Sequence, residues 1–130
     1  MNNLPAAADL LAIARETLNS EIRPHVHDDA RYTVAMIANA MAVAAREIVA
    51  GDAPARAALA RLDRLHGEGP RELHGEALED AIAAHGRRLA ADIRAGRYDT
   101  SDARRRAVLD HLRETVEAKL RISNPKALEP

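Results

Sequence analysis

Between Thr33 and Arg46 the chain has one polar residue, Asn39, in the stretch TVAMIANAMAVAA. A helix that is apolar all round is normally enclosed on all sides. The stretch therefore predicts the central helix of an all-α domain, shielded from water on every flank, with Asn39 placed where a partner is needed. An unpaired amide in a dry helix interface costs about 1–3 kcal/mol. Asn39 is thus expected to bond a neighbouring group and fix helix register, as a lone Asn does at a core position of a coiled coil. The competing expectation is that Tyr32, Asn39, Arg46 and Glu47 form a buried polar cleft or a subunit contact.

The rest of the chain reads as further helices. The first runs from about Pro5 to Ile22, with Ala7, Leu11, Ala14, Leu18 and Ile22 as its buried stripe, and Pro24 ends it. Asp28 or Asp29 is a candidate N-cap for the second, which stops at Gly51. A shorter third helix spans Pro54 to Leu65. The fourth covers about Arg71 to Ala95, after the loop His66-Gly67-Glu68-Gly69-Pro70. Asp99-Thr100-Ser101-Asp102 offers caps for a fifth, and Asn124-Pro125 stops it. Four long helices and one short one, joined by short loops, predict a mostly antiparallel bundle in a single domain, residues 1–130.

Composition narrows the core and the chemistry. Of 130 residues 47% are apolar, yet there is no Phe or Trp and only two Tyr. Leu, Ile, Val and Met must fill the core, with Ala allowing close helix approach. So small an aliphatic inventory predicts a homo-oligomer that covers a further helix face. The formal charge of −1 calls for neither nucleic acid nor an acidic membrane. Zero Cys excludes disulfides, thiolate nucleophiles and Cys-based zinc sites. The N-terminal residues carry Asp9 and no basic leader, and no apolar run approaches the ~20 residues of a membrane span. The expectation is a cytoplasmic protein.

The cluster that looks most like chemistry is His25, His27, Asp28 and Asp29. Imidazoles and carboxylates in a short loop can hold a divalent metal. The His-Asp dipeptide is similar to that of the all-helical HD phosphohydrolases, although their pattern needs an earlier His and a distant Asp on separate helices. The competing reading makes the acids helix caps and the histidines solvated. Glu-x-x-His pairs, H-E-x-x-H, phosphate-loop and nucleophile-elbow patterns are all absent from the sequence, so no cofactor is implied. Arg87-Arg88 and Arg104-Arg105-Arg106 read as solvated helix faces, with phosphate binding as the alternative.

Two stretches carry a resemblance. ARYTVAMIANAMAVAAREI, residues 30–48, and HLRETVEAKLRISNP, residues 111–125, preceded by IRAGRYD, resemble a family of small helical bacterial proteins described as a domain of unknown function. That family has an R-x-A-x-N-A-L-like core helix before an R-E pair and a closing V-x-x-K-L-x-x-x-N-P segment; Met41 stands where Leu is more usual. The resemblance implies encoding beside acyl-CoA dehydrogenases and aminoglycoside-phosphotransferase-like kinases. It brings no catalytic residues, and it draws attention to Asn39, Arg46, Glu47, Lys119, Asn124 and Pro125.

Three functions follow as expectations. The first is a non-catalytic accessory or interaction protein that works with such a dehydrogenase or kinase. The second is a small metal- or phosphate-handling enzyme using the 25–29 loop. The third is a sensor for an acyl or CoA-type ligand near the arginines.

Overall fold

The computed structural model describes residues 4–130. Five α-helices follow one another: α1 (Ala7–Thr17), α2 (Asp28–Ala50), α3 (Ala53–Leu65), α4 (Gly75–Arg94) and α5 (Ala103–Ser123). There is no strand among the described residues, so the fold class is all-α. The chain divides into two compact units. One holds the chain up to Gly51 together with Ile122–Pro125; the other holds Asp52–Arg121 and Lys126–Pro130.

In the first unit α1 packs on α2 as a helical hairpin. Asp9 accepts a bond from the Ala6 N–H at 3.2 Å, an acid at the positive end of α1. After Thr17 the helix widens into a π-turn, Leu18–Ile22, in which the Arg23 N–H reaches back five residues to the Leu18 carbonyl. A 3₁₀ turn, Arg23–His25, then carries the run through Pro24 to the extended Val26. The expectation that Pro24 ends the helix is corrected, because Arg23 keeps helical dihedrals and a proline fits the first positions of a new turn. His27, not Asp28 or Asp29, is the N-cap residue of α2; the two acids occupy the first turn. Near the other end, Arg46 Nε donates to the Ile122 carbonyl at 2.6 Å. A cation there complements the negative end of α5.

The expectation that α2 is shielded on every side is corrected. Only Val34 and Ala38 are buried along it. Tyr32 is 74% exposed and Met36 50%, and Ile37, Ile48 and Val49 are also open to solvent. The reason is geometric: within its unit α2 has one long helical neighbour, and a cylinder covered on one side stays bare on the other. The stripe expected on α1 is corrected too. Leu11 and Leu18 are half-buried, Ala7, Ala14 and Ile22 are exposed, and no α1 residue is fully buried. At 23 residues α2 is long and apolar enough by composition to cross a membrane. Its uncharged stretch, Tyr32–Ala45, is only 14 residues. That is about 21 Å at 1.5 Å per residue, short of a ~30 Å hydrocarbon core.

In the second unit Leu62, Leu89 and Val108 form the core, with Leu65, Ile82 and Tyr98 packed against it. One residue comes from each of α3, α4 and α5, which places the hydrophobic centre among the three. Asp102 caps α5, its Oδ1 accepting from the Arg105 N–H at 3.0 Å. α4 begins at Gly75 rather than near Arg71. Arg71 lies instead in the preceding loop, where its side chain meets a buried carboxylate.

Candidate functional site

The second unit buries three ionisable side chains: Asp63 at 1% exposure, His85 at 5% and His111. Asp63 follows Leu59 and Leu62 on the inner face of α3, and His85 stands between Leu78 and Leu89 on the inner face of α4. Helical spacing therefore carries both inward whatever their polarity. A buried carboxylate needs partners. Arg71 Nη2 donates to Asp63 Oδ1 at 2.7 Å, and His85 Nε2 lies 2.8 Å from the same oxygen. Arg71 Nη2 is also 2.8 Å from His85 Nε2, so both donors converge on one acceptor.

The cluster extends outward. The His66 ring stacks on His85 with centroids 4.7 Å apart, and the two Nδ1 atoms make a short contact. With His85 Nε2–H given to Asp63, His85 Nδ1 is the acceptor and His66 Nδ1–H the donor. That assignment leaves the His66 Nε2 lone pair, which is buried and has no partner among the described residues. Glu68 closes the rim, 3.6 Å from Arg71 Nη2 and 3.3 Å from Arg88 Nη1. Its backbone N–H donates to the Asp63 carbonyl at 2.8 Å.

Charge follows from these contacts. Burial works to raise the Asp63 carboxyl, and the hydrogen bonds from Arg71 and His85 overcome it, holding the group below its ordinary value. Burial first, then the charges of Arg88 and His85, push the His66 imidazole below its ordinary value, against the pull of Asp92 and Glu68. His111, on α5, is lowered by burial and by Arg61, whose Nε donates to its Nδ1 at 3.2 Å; Glu114 opposes.

Asp63, Glu68 and His85 bring ligand atoms within 4.8 Å of one another, the spacing a divalent metal needs. Arg71 already places a guanidinium against all three. A metal therefore competes with a resident cation. As it stands, the arrangement neutralises a buried carboxylate and ties the loop before α4 to α3. Beside it, Ala58, Leu62, Ile82, Leu89, Ile93 and Leu112 line an open apolar groove of about 270 Å³.

The residues singled out from sequence lie elsewhere. His25, His27, Asp28 and Asp29 are all exposed, and Asp28 pairs with Arg31 at 3.5 Å. Among the described residues they do not assemble into a ligand cluster. Tyr32, Asn39 and Glu47 are exposed, so the expectation that they are buried within the chain is corrected; Arg46 is half-buried on the Ile122 carbonyl. Among the described residues, the amide oxygen enclosed without a partner belongs to Asn19, on the π-turn. Arg88 and Arg105 of the basic runs bond Glu68 and the Asp99 carbonyl. Sequence reading missed the Asp63–His85 pair. Its signal was present: His85 continues the three- and four-residue spacing of Leu78, Ile82 and Leu89.

The chain belongs to the family described as a domain of unknown function (DUF6285), which is matched over residues 24–127. No curated protein and no solved structure matches the chain.

Proposed function

We propose that this DUF6285 member is a non-catalytic helical interaction protein that works by burying the open face of α2 on a protein partner. The observation that carries the reading is that face. Tyr32, Met36, Ile37 and Asn39 are exposed on a helix without a charge from Tyr32 to Ala45. Contiguous exposed apolar surface of this kind marks an interaction site. The ionisable cluster supports the same reading, because Arg71 occupies the position that a metal or an attacking group needs. Acyl-CoA dehydrogenases and phosphotransferase-like kinases are the first partner enzymes to try.

The test is a binding titration of such an enzyme, and of the chain with itself, using wild type and Met36→Glu. Met36 is half-exposed, so the substitution leaves the hairpin helical by circular dichroism. Loss of association in the variant is the expected result. Association unchanged by Met36→Glu and Val43→Glu, or substrate turnover by the isolated chain, removes the reading.

A ligand-sensing reading has the apolar groove of the second unit in its favour. A thermal-shift screen with CoA esters separates it, since a ligand that binds only the folded state raises the melting temperature.

A further inference from the structure

We infer that the occupant of the α2 face is a second copy of this chain, paired helix against helix in antiparallel orientation. The inference rests on the interaction reading above and names its partner.

Asp29, Tyr32, Met36, Asn39, Val43 and Arg46 recur at alternating spacings of three and four along α2. This is the seam of a two-stranded coiled coil. Asp29, Tyr32, Met36 and Asn39 are exposed, so the seam is open over these four positions, while Val43 and Arg46 at its end are half-buried. The seven-residue repeat drifts by about 20° per heptad on a straight helix, and a left-handed supercoil keeps it facing a partner. Ala35, Ala40 and Ala42 flank the seam and let two backbones approach.

Charge selects the direction. The seam is acidic at its start, basic at its end and neutral between. Parallel pairing sets Asp29 against the partner's Asp29 and Arg46 against the partner's Arg46. Antiparallel pairing, with the two-fold axis between Met36 and Asn39, sets Asp29 against the partner's Arg46, Tyr32 against the partner's Val43, and Met36 against the partner's Asn39. Every charged layer is then complementary, and the helix dipoles oppose. Arg46 is held at its end by the Ile122 carbonyl, which limits where its guanidinium lies. The two-fold axis repeats the Met36–Asn39 pairing, so Asn39 interrupts the apolar run in the two central layers. The first unit also needs such a partner: a two-helix hairpin with only Val34 and Ala38 buried has almost no core of its own.

The chain has no cysteine, so single thiols report orientation directly. Tyr32→Cys and Val43→Cys chains are mixed, oxidised and resolved by mass, beside sedimentation of the wild type. A disulfide needs Cα atoms within about 7 Å. Antiparallel pairing gives the mixed 32–43 disulfide. In a parallel pair those positions lie eleven residues apart, about 16 Å, and only like-with-like disulfides form. That second result overturns the antiparallel register and leaves the interaction reading standing. A wild-type chain that stays monomeric at its highest attainable concentration overturns the pairing. If that monomer also binds neutral phosphatidylcholine vesicles, and Met36→Glu abolishes the binding, the interaction reading falls as well.

Discussion

Asp63 stands directly after Leu62 on the inner face of α3, and its carboxylate is tolerated there because Arg71 and His85 both donate to it. Asp63→Asn keeps the shape but removes the charge that both donors converge on. It is expected to destabilise the second unit by about 2 kcal/mol, in the range for a broken buried network, read from the midpoint of denaturant unfolding. His66 and His111 set a pH dependence of known sign. Both are depressed below the ordinary histidine value of 6.5, chiefly by burial. The native state therefore takes up these protons less readily than the unfolded chain. Their contribution is fully present above about pH 6.5 and is lost as pH falls towards the depressed native values. Melting temperature should decline from pH 7 to pH 5, and His111→Gln should flatten part of that decline, because Arg61 then faces no imidazole that can charge. The Arg71 contact is not visible in sequence, since Arg71 reaches Asp63 from a loop and loops carry no periodicity. The opposite holds for Asn39: the lone polar residue was plain, but its exposure depends on what covers α2.

At the scale of elements, the helices themselves were legible. Gly51 and Asn124-Pro125 end segments where helical geometry or a missing N–H requires it, whereas the turn at Arg23–His25 passes through Pro24, and Asp102 caps α5 as its composition promised. The start of α4 was not legible, because Arg71-Glu72-Leu73-His74 has helical propensity yet is non-helical, with Arg71 bonded to Asp63 and His74 extended before Gly75. Faces were harder than helices. On α5, Val108 and His111 are buried while Leu109, Leu112 and Val116 remain largely open, so hydrophobicity alone does not mark the buried side. The same substitution should therefore have unequal effects on different helices. Leu59→Ala empties a site that is 1% exposed and is expected to cost about 3 kcal/mol. Val49→Ala, at 77% exposure, is expected to change stability by under about 0.5 kcal/mol. Paired denaturation curves check both.

For the whole molecule, composition and fold point the same way. A chain that draws its apolar content largely from alanine buries few large side chains, and the first unit is left with an uncovered helix. The sequence showed the apolar helix and left its cover open between the chain itself and a second copy, because periodicity records that a face wants burial without recording whose surface supplies it. The first passage between the two compact units, from Gly51 to Asp52, is a join too short and too ordinary in composition to read as a boundary, and the chain returns briefly to the first unit at Ile122–Pro125. The central claim is that the face of α2 exists to be covered by another protein surface, first of all its own copy. Sedimentation equilibrium of wild type and Met36→Glu over a range of concentrations tests it most directly. The account predicts a wild-type species of two 14.1 kDa chains that dissociates in the variant with helicity retained. A wild type that remains a single chain throughout, or a variant that associates just as tightly, contradicts it.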